Sequence, residues 1–158
     1  MKKLSYIIAT VLGAGYFPIA SGTVGSAVCI PLAFILAYFG GFWLVLSVAI
    51  FLYIIGFFAT KEVLKYTEHD PSIVVIDEVV GQLVTILPVA NMLMGKFNIE
   101  ILWIYVGAFF LFRLFDITKP FPANYFDKKV MTANGVMLDD VIAGIYASIV
   151  LWGAIWIL

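Results

Sequence analysis

Long apolar runs broken by a few short polar places dominate the chain. They cover residues 24–39, 42–59, 73–94, 101–115 and 136–158. Each reads as a membrane-crossing helix, with Gly40-Gly41 separating the first two. Several fall short of the ~20 residues a bilayer normally requires, so they recruit flanking residues or thin the membrane locally. The predicted fold is all-α: residues 1–158 form a single membrane-embedded domain, a polytopic transmembrane bundle of about five spans. Residues 1–15, MKKLSYIIATVLGAG, begin like a signal peptide, with two lysines before an apolar stretch. No compact small-residue cleavage site precedes a soluble domain, and further spans follow. The segment is therefore read as a retained helix, interfacial or re-entrant.

Composition agrees with this pattern. The chain has 158 residues, 64% hydrophobic and 12% charged, with a mean hydropathy of +1.10. A soluble domain carries about 25% charged residues, so the bilayer is the expected solvent. A net charge of −1 and the lack of a dense basic run argue against a nucleic-acid partner. Cys29 is the only cysteine, which excludes an intramolecular disulfide.

Charge also sets an expected orientation. With the N-terminus in the cytoplasm, Lys2, Lys3, Lys61, Lys65, Arg113, Lys119, Lys128 and Lys129 fall on the inner side and Lys96 alone on the other. Such an asymmetry is what the positive-inside rule expects. Four polar segments then lie at inner span ends: residues 13–26 (GAGYFPIASGTVGS), 70–82 (DPSIVVIDEVVGQ), 113–122 (RLFDITKPFP) and 135–140 (GVMLDD). The outer turns, at Gly40-Gly41 and 95–100, carry no comparable cluster.

Within these segments the acids are the notable residues. With a helix beginning near Ser72, Asp77 lies one to two turns in, ~7–8 Å along the axis. Asp139-Asp140 opens the last span, and Asp116 closes the fourth. An intramembrane carboxylate costs about 2.5–3.5 kcal/mol at a helix centre and less near the interface. N-capping and the helix dipole account for Asp70 and extend to Asp139. They explain the adjacent pairs Asp77-Glu78 and Asp139-Asp140 poorly, because the members of each pair repel. Oxygen ligands without a histidine or thiolate cluster select a hard cation, Mg2+ before Zn2+; His69 reads as loop and Cys29 as packing. Arg113 and Lys119 are placed to hold phosphate charge, or else to snorkel to the interface. Arg113, three residues before Asp116, shares its helix face. Ser21, Thr23 and Ser26 lie among glycines whose backbone admits close approach, although no Walker A lysine follows.

Several phosphatase chemistries lack their residues. A Cys-x5-Arg loop would need arginine at 35, which is Ile35; no Asp-x-Asp motif is present, and His69 is the lone histidine. Attack by a metal-activated water, or by water with a carboxylate as general base, remains.

The chain resembles the phosphatidylglycerophosphatase A family. PIASGTVGS (18–26), DPSIVVIDEVVG (70–81), RLFDITKP (113–120) and GVMLDDVIAG (135–144) carry the likeness in the family's order. Ser21 stands where the family usually has proline, and Val24 where tryptophan is common. The resemblance implies an Mg2+-dependent phosphomonoesterase in the bacterial cytoplasmic (inner) membrane, converting phosphatidylglycerol phosphate to phosphatidylglycerol at the cytoplasmic leaflet. By matching position it points to Asp77, Glu78, Asp139 and Asp140 as the metal-binding and catalytic acids. Asp116 joins them as a catalytic candidate, and Arg113, Lys119, Thr23, Ser26 and Ser72 are the substrate-binding candidates. Alternatives are a phosphatase for another lipid or prenyl phosphate, a small proton or cation transporter, and an assembly subunit held by its glycines and alanines.

Overall fold

The computed structural model describes residues 2–67, 71–97 and 99–157. His69 and Asp70, for which loop and capping roles were expected, lie outside them. The described residues are helical, with no strand. In order they form α1 (Lys2–Ala9), a 3-10 turn (Ala14–Tyr16), α2 (Ser21–Val63), α3 (Ile76–Ile86), a 3-10 turn (Leu87–Val89), α4 (Ala90–Leu93), α5 (Ile99–Thr118), α6 (Ala123–Lys129) and α7 (Ala133–Ile157).

α2 is 43 residues long but is not one rod. Gly41 has φ 54 and ψ −146, outside helical geometry. A Cβ on Gly25 would lie 2.8 Å from Val75 Cβ, and one on Gly56 3.0 Å from Ile76 Cγ1. Along a straight helix those two glycines would be roughly 46 Å apart at 1.5 Å per residue. Both instead touch adjacent residues at the start of α3, so the chain folds back at Gly40-Gly41 into two antiparallel legs. The broken ends find partners: Phe42 N–H donates to Asn91 Oδ1 at 2.8 Å, and Gly95 N–H to the Tyr38 carbonyl at 2.9 Å.

The run expected over 73–94 starts later than its pattern suggests. Pro71–Val75 is non-helical, with Val74 N–H turned onto the Pro71 carbonyl and Val75 N–H on the Ala9 carbonyl, each at 2.9 Å. Asp77 and Glu78 thus occupy the first turn of α3 rather than its second. Asp139 goes the other way: α7 begins at Ala133, so Asp139 is well inside the helix and is not a cap. α1, at 8 residues, is about 12 Å long and too short to cross a bilayer. It lies along the second leg of α2, with Ala9 packed beside Ala59 and Val63.

Four helices are long and apolar enough to cross a membrane: Ser21–Val63, Ile76–Leu93, Ile99–Thr118 and Ala133–Ile157. Of the Ile76–Leu93 window 72% is buried, against 22–28% for the other three, which makes α3–α4 the central rod. Around it the interior is built from small residues, among them Ala33, Ala37, Ala49, Ala90 and Ala108. A close approach falls at Gly81 and Gly144, where a Cβ on Gly144 would meet the Gly81 carbonyl at 2.4 Å. Small residues of this kind let helix backbones meet where the surrounding solvent is lipid. Outward face Phe39, Trp43, Phe58, Trp103, Phe110, Ile149 and Trp156, each more than half exposed. So large an apolar exterior matches hydrocarbon rather than water.

Candidate active site

At the end of the bundle away from the Gly41 fold, four stretches of chain meet. The first leg of α2 brings Gly22 and Ser26, and the first turn of α3 brings Asp77 and Glu78. The last turns of α5 bring Arg113 and Asp116, and the second turn of α7 brings Asp139 and Asp140. Local tethers hold the arrangement. Ser21 donates its hydroxyl to the Ser72 carbonyl at 2.6 Å. This ties the start of α2 to the segment leading into α3.

Glu78, Asp116 and Asp140 each offer a carboxylate oxygen to one point, these atoms lying within 4.8 Å of one another. They come from three different helices. Asp116 and Asp140 are buried at 7% and 4% exposure, and the Glu78 side chain is 12% exposed. Arg113 bridges two of the three: Nη1 pairs with Glu78 Oε2 and lies 2.6 Å from Asp116 Oδ2. Ser26 Oγ is 2.9 Å from Glu78 Oε2 and 2.9 Å from the Gly22 carbonyl, so its one proton serves either acceptor. Gly22 allows this approach, because a Cβ there would stand 1.8 Å from Glu78 Oε1. The positive end of α3 adds a favourable field for acids in its first turn.

The other members of the two acid pairs fall outside this group of three. Asp77 is buried, and its Oδ1 accepts the Glu78 N–H at 2.9 Å. Asp139 is buried, accepts the Asp140 N–H at 3.0 Å, and pairs with Lys119 Nζ at 2.6 Å. Lys119 also pairs with Asp127 at 2.5 Å. Burial alone would lower the lysine's pKa, but Asp139 and Asp127 hold it above the ordinary lysine range. Of the hydroxyl candidates, Ser26 reaches Glu78; Thr23 is half-buried in the same turn, and Ser72 is exposed and contributes its carbonyl to Ser21. Cys29 is buried, its Sγ 3.4 Å from the Val79 carbonyl.

Two contributors did not stand out in the sequence. Gly22 is one glycine among several in its segment, and only the fold shows which one faces a carboxylate. Asp127 follows Lys119 by eight residues across the Lys-Pro-Phe-Pro turn and α6; a turn signal was present, but no spacing rule links the two.

These helices and their acid–cation centre define an all-helical protein with a lipid-type exterior and a buried polar end. Residues 7–155 match the family model described as Phosphatidylglycerophosphatase A, and the chain belongs to that family. It is 34% identical to the phosphatidylglycerophosphatase A of Haemophilus influenzae, over 96% of this chain and 92% of that protein. It is 30% identical to the phosphatidylglycerophosphatase A of Escherichia coli, over 96% of this chain and 84% of that one. A Bacteroides thetaiotaomicron protein named "Putative phosphatidylinositol-3-phosphatase" is 33% identical over 100% of this chain and 99% of its own. No solved structure matches the chain.

Proposed function

We propose that the protein hydrolyses the phosphomonoester of a phospholipid headgroup, with phosphatidylglycerol phosphate as substrate and Mg2+ as cofactor, at the cytoplasmic leaflet of the inner membrane. The observation that carries this reading is the meeting of Glu78, Asp116 and Asp140 from three helices beside Arg113. Family membership and two relatives named for that reaction support it. The count of basic residues supports the inner leaflet, and the Gly41 fold supports reading α2 as two spans, five in all.

The donor set fits the proposed ion. Three carboxylate oxygens within 4.8 Å make a hard, all-oxygen cradle of the kind Mg2+ accepts, leaving positions for water and a phosphate oxygen. When bound, a divalent ion supplies Lewis-acid stabilisation of charge on the phosphoryl oxygens. Glu78, Asp116 and Asp140 would hold it. Arg113 and Lys119 provide positive charge for the remaining phosphate oxygens. In the reaction a water oxygen forms a bond to phosphorus and the bond from phosphorus to the headgroup oxygen breaks. The water's proton passes to a carboxylate of the site, which returns a proton to the headgroup oxygen, so that the headgroup leaves as an alcohol and inorganic phosphate is released. Asp139, held by Lys119, keeps that lysine at the site's edge.

The test is phosphate release by the purified protein from a panel of lipid phosphates, with Mg2+ and then with EDTA. The panel includes phosphatidylinositol 3-phosphate, because a relative matched over the whole of this chain is named "Putative phosphatidylinositol-3-phosphatase". Phosphatidylglycerol phosphate turned over fastest, silenced by EDTA and restored by Mg2+, is the expected result. Release from none of the panel would overturn the reading.

A further inference from the structure

Arg113 occupies an unusual place for a substrate-binding residue. Its guanidinium lies among the oxygens of the acidic group, on Glu78 and 2.6 Å from Asp116, with Nη1 also 3.5 Å from Ser26 Oγ. Its side chain is 15% exposed, so water does little to screen these pairings. Nε of the same guanidinium is buried without a hydrogen-bond partner among the described residues, an unsatisfied donor in a setting where such groups cost about 1–3 kcal/mol. The arginine therefore satisfies two acids while leaving one of its own donors unmet.

A guanidinium seated on Glu78 Oε2 and Asp116 Oδ2 puts a positive charge against the very carboxylates that offer an oxygen to the shared point, and so opposes a second cation there. We propose that Arg113 and the divalent ion compete for Glu78 and Asp116, so that loading the ion turns the guanidinium from the acids toward the substrate phosphate. This rests on the metal-dependent reading above and assigns Arg113 a definite part in it. While the acids lack the ion, the arginine neutralises them and keeps the helix ends together. Once the ion is in place, the donors freed from the carboxylates and the unmet Nε–H face an anion that can satisfy them. A phosphate ester offers paired oxygens to the guanidinium fork, which a lysine would not match. A purely structural salt bridge makes a different prediction: its removal would loosen the helix ends and weaken the ion's binding.

The experiment is titration of the detergent-purified protein with Mn2+, reading the free ion by electron paramagnetic resonance, for wild type, Arg113→Gln, Arg113→Lys and Glu78→Gln. Competition predicts that Arg113→Gln binds Mn2+ on the order of tenfold more tightly than wild type while losing phosphatase activity. Arg113→Lys should fall between them, and it decides the question by itself should the glutamine variant fail to fold. Glu78→Gln should bind Mn2+ more weakly than wild type. Unchanged or weaker Mn2+ binding by both arginine variants, with wild type binding normally, overturns the competition and leaves the metal-dependent reading standing. No Mn2+ binding by any of the proteins overturns both.

Discussion

The backbone of Gly22 lies against the carboxylate of Glu78, so closely that a methyl group on the glycine would stand 1.8 Å from Oε1. The other oxygen of that carboxylate is held by Arg113 and Ser26. Gly22→Ala must therefore displace the end of a flexible side chain rather than backbone. We expect a folded protein with Glu78 moved off the shared point. A displacement of about 1 Å in such a site costs on the order of 100-fold in rate. Measured kcat/KM should fall by that order while the melting temperature changes little.

Gly144 gives the contrasting case. A Cβ there meets the Gly81 carbonyl at 2.4 Å, and backbone cannot swing aside. Gly144→Ala should force α3 and α7 apart and destabilise the protein by about 1–3 kcal/mol, as overpacked interiors do. Thermal unfolding in detergent reads this directly. Together the two alanine substitutions separate a glycine needed for the site from one needed for packing.

Asn91 is expected to matter for stability and not for turnover. Its Oδ1 caps the N–H of Phe42, the first residue after the Gly41 fold. A lost helix cap costs about 0.5–2 kcal/mol. Asn91→Ala should lower the melting temperature while kcat/KM stays near wild type, because Asn91 is at the end of the bundle opposite the acids.

Lys119 and Asp127 should differ in importance although they form one pair. Lys119→Met strips the buried Asp139 of its ion-pair partner at 2.6 Å and removes a cation from the site. Asp127→Asn leaves the Lys119–Asp139 pair in place, and the Asp127 side chain is 20% exposed. Breaking a buried pair by removing one partner costs about 3–5 kcal/mol, and a more exposed pair about 0–1. Paired measurements of stability and kcat/KM should show a large loss for Lys119→Met and a small one for Asp127→Asn.

How much of this was legible in the sequence depends on the helix period. The apolar runs signalled an all-helical chain, and Gly40-Gly41 marked the place where α2 folds back. Asp77-Glu78, Asp139-Asp140, Asp116 and Arg113 stood out as charges in apolar surroundings. Which member of each adjacent pair faces the shared point was not readable from the sequence. Neighbours on a helix are about 100° apart at 3.6 residues per turn, so one of two adjacent acids turns away whenever the other turns in. That choice is made by packing between helices: Gly81 against Gly144 sets the rotation of α3 on α7, and Gly25 against Val75 sets α2 on α3. The start of α3 was misplaced for a related reason. Residues 73–75 belong to the apolar run, but the Val75 N–H is taken by the Ala9 carbonyl, a partner far away in sequence.

If Glu78, Asp116 and Asp140 act as one centre for hydrolysis, losing any one of them should stop the reaction. The most direct test is phosphate release from phosphatidylglycerol phosphate by Asp116→Asn, measured beside wild type at saturating Mg2+ with helix content checked by circular dichroism. Asp116 is the informative residue because, unlike Glu78 and Asp140, it has no acid beside it in the sequence to take its place. The expected result is a folded variant whose turnover falls by about 1000-fold or more, as for loss of a group acting on developing charge. A folded Asp116→Asn protein releasing phosphate at the wild-type rate would contradict the shared centre.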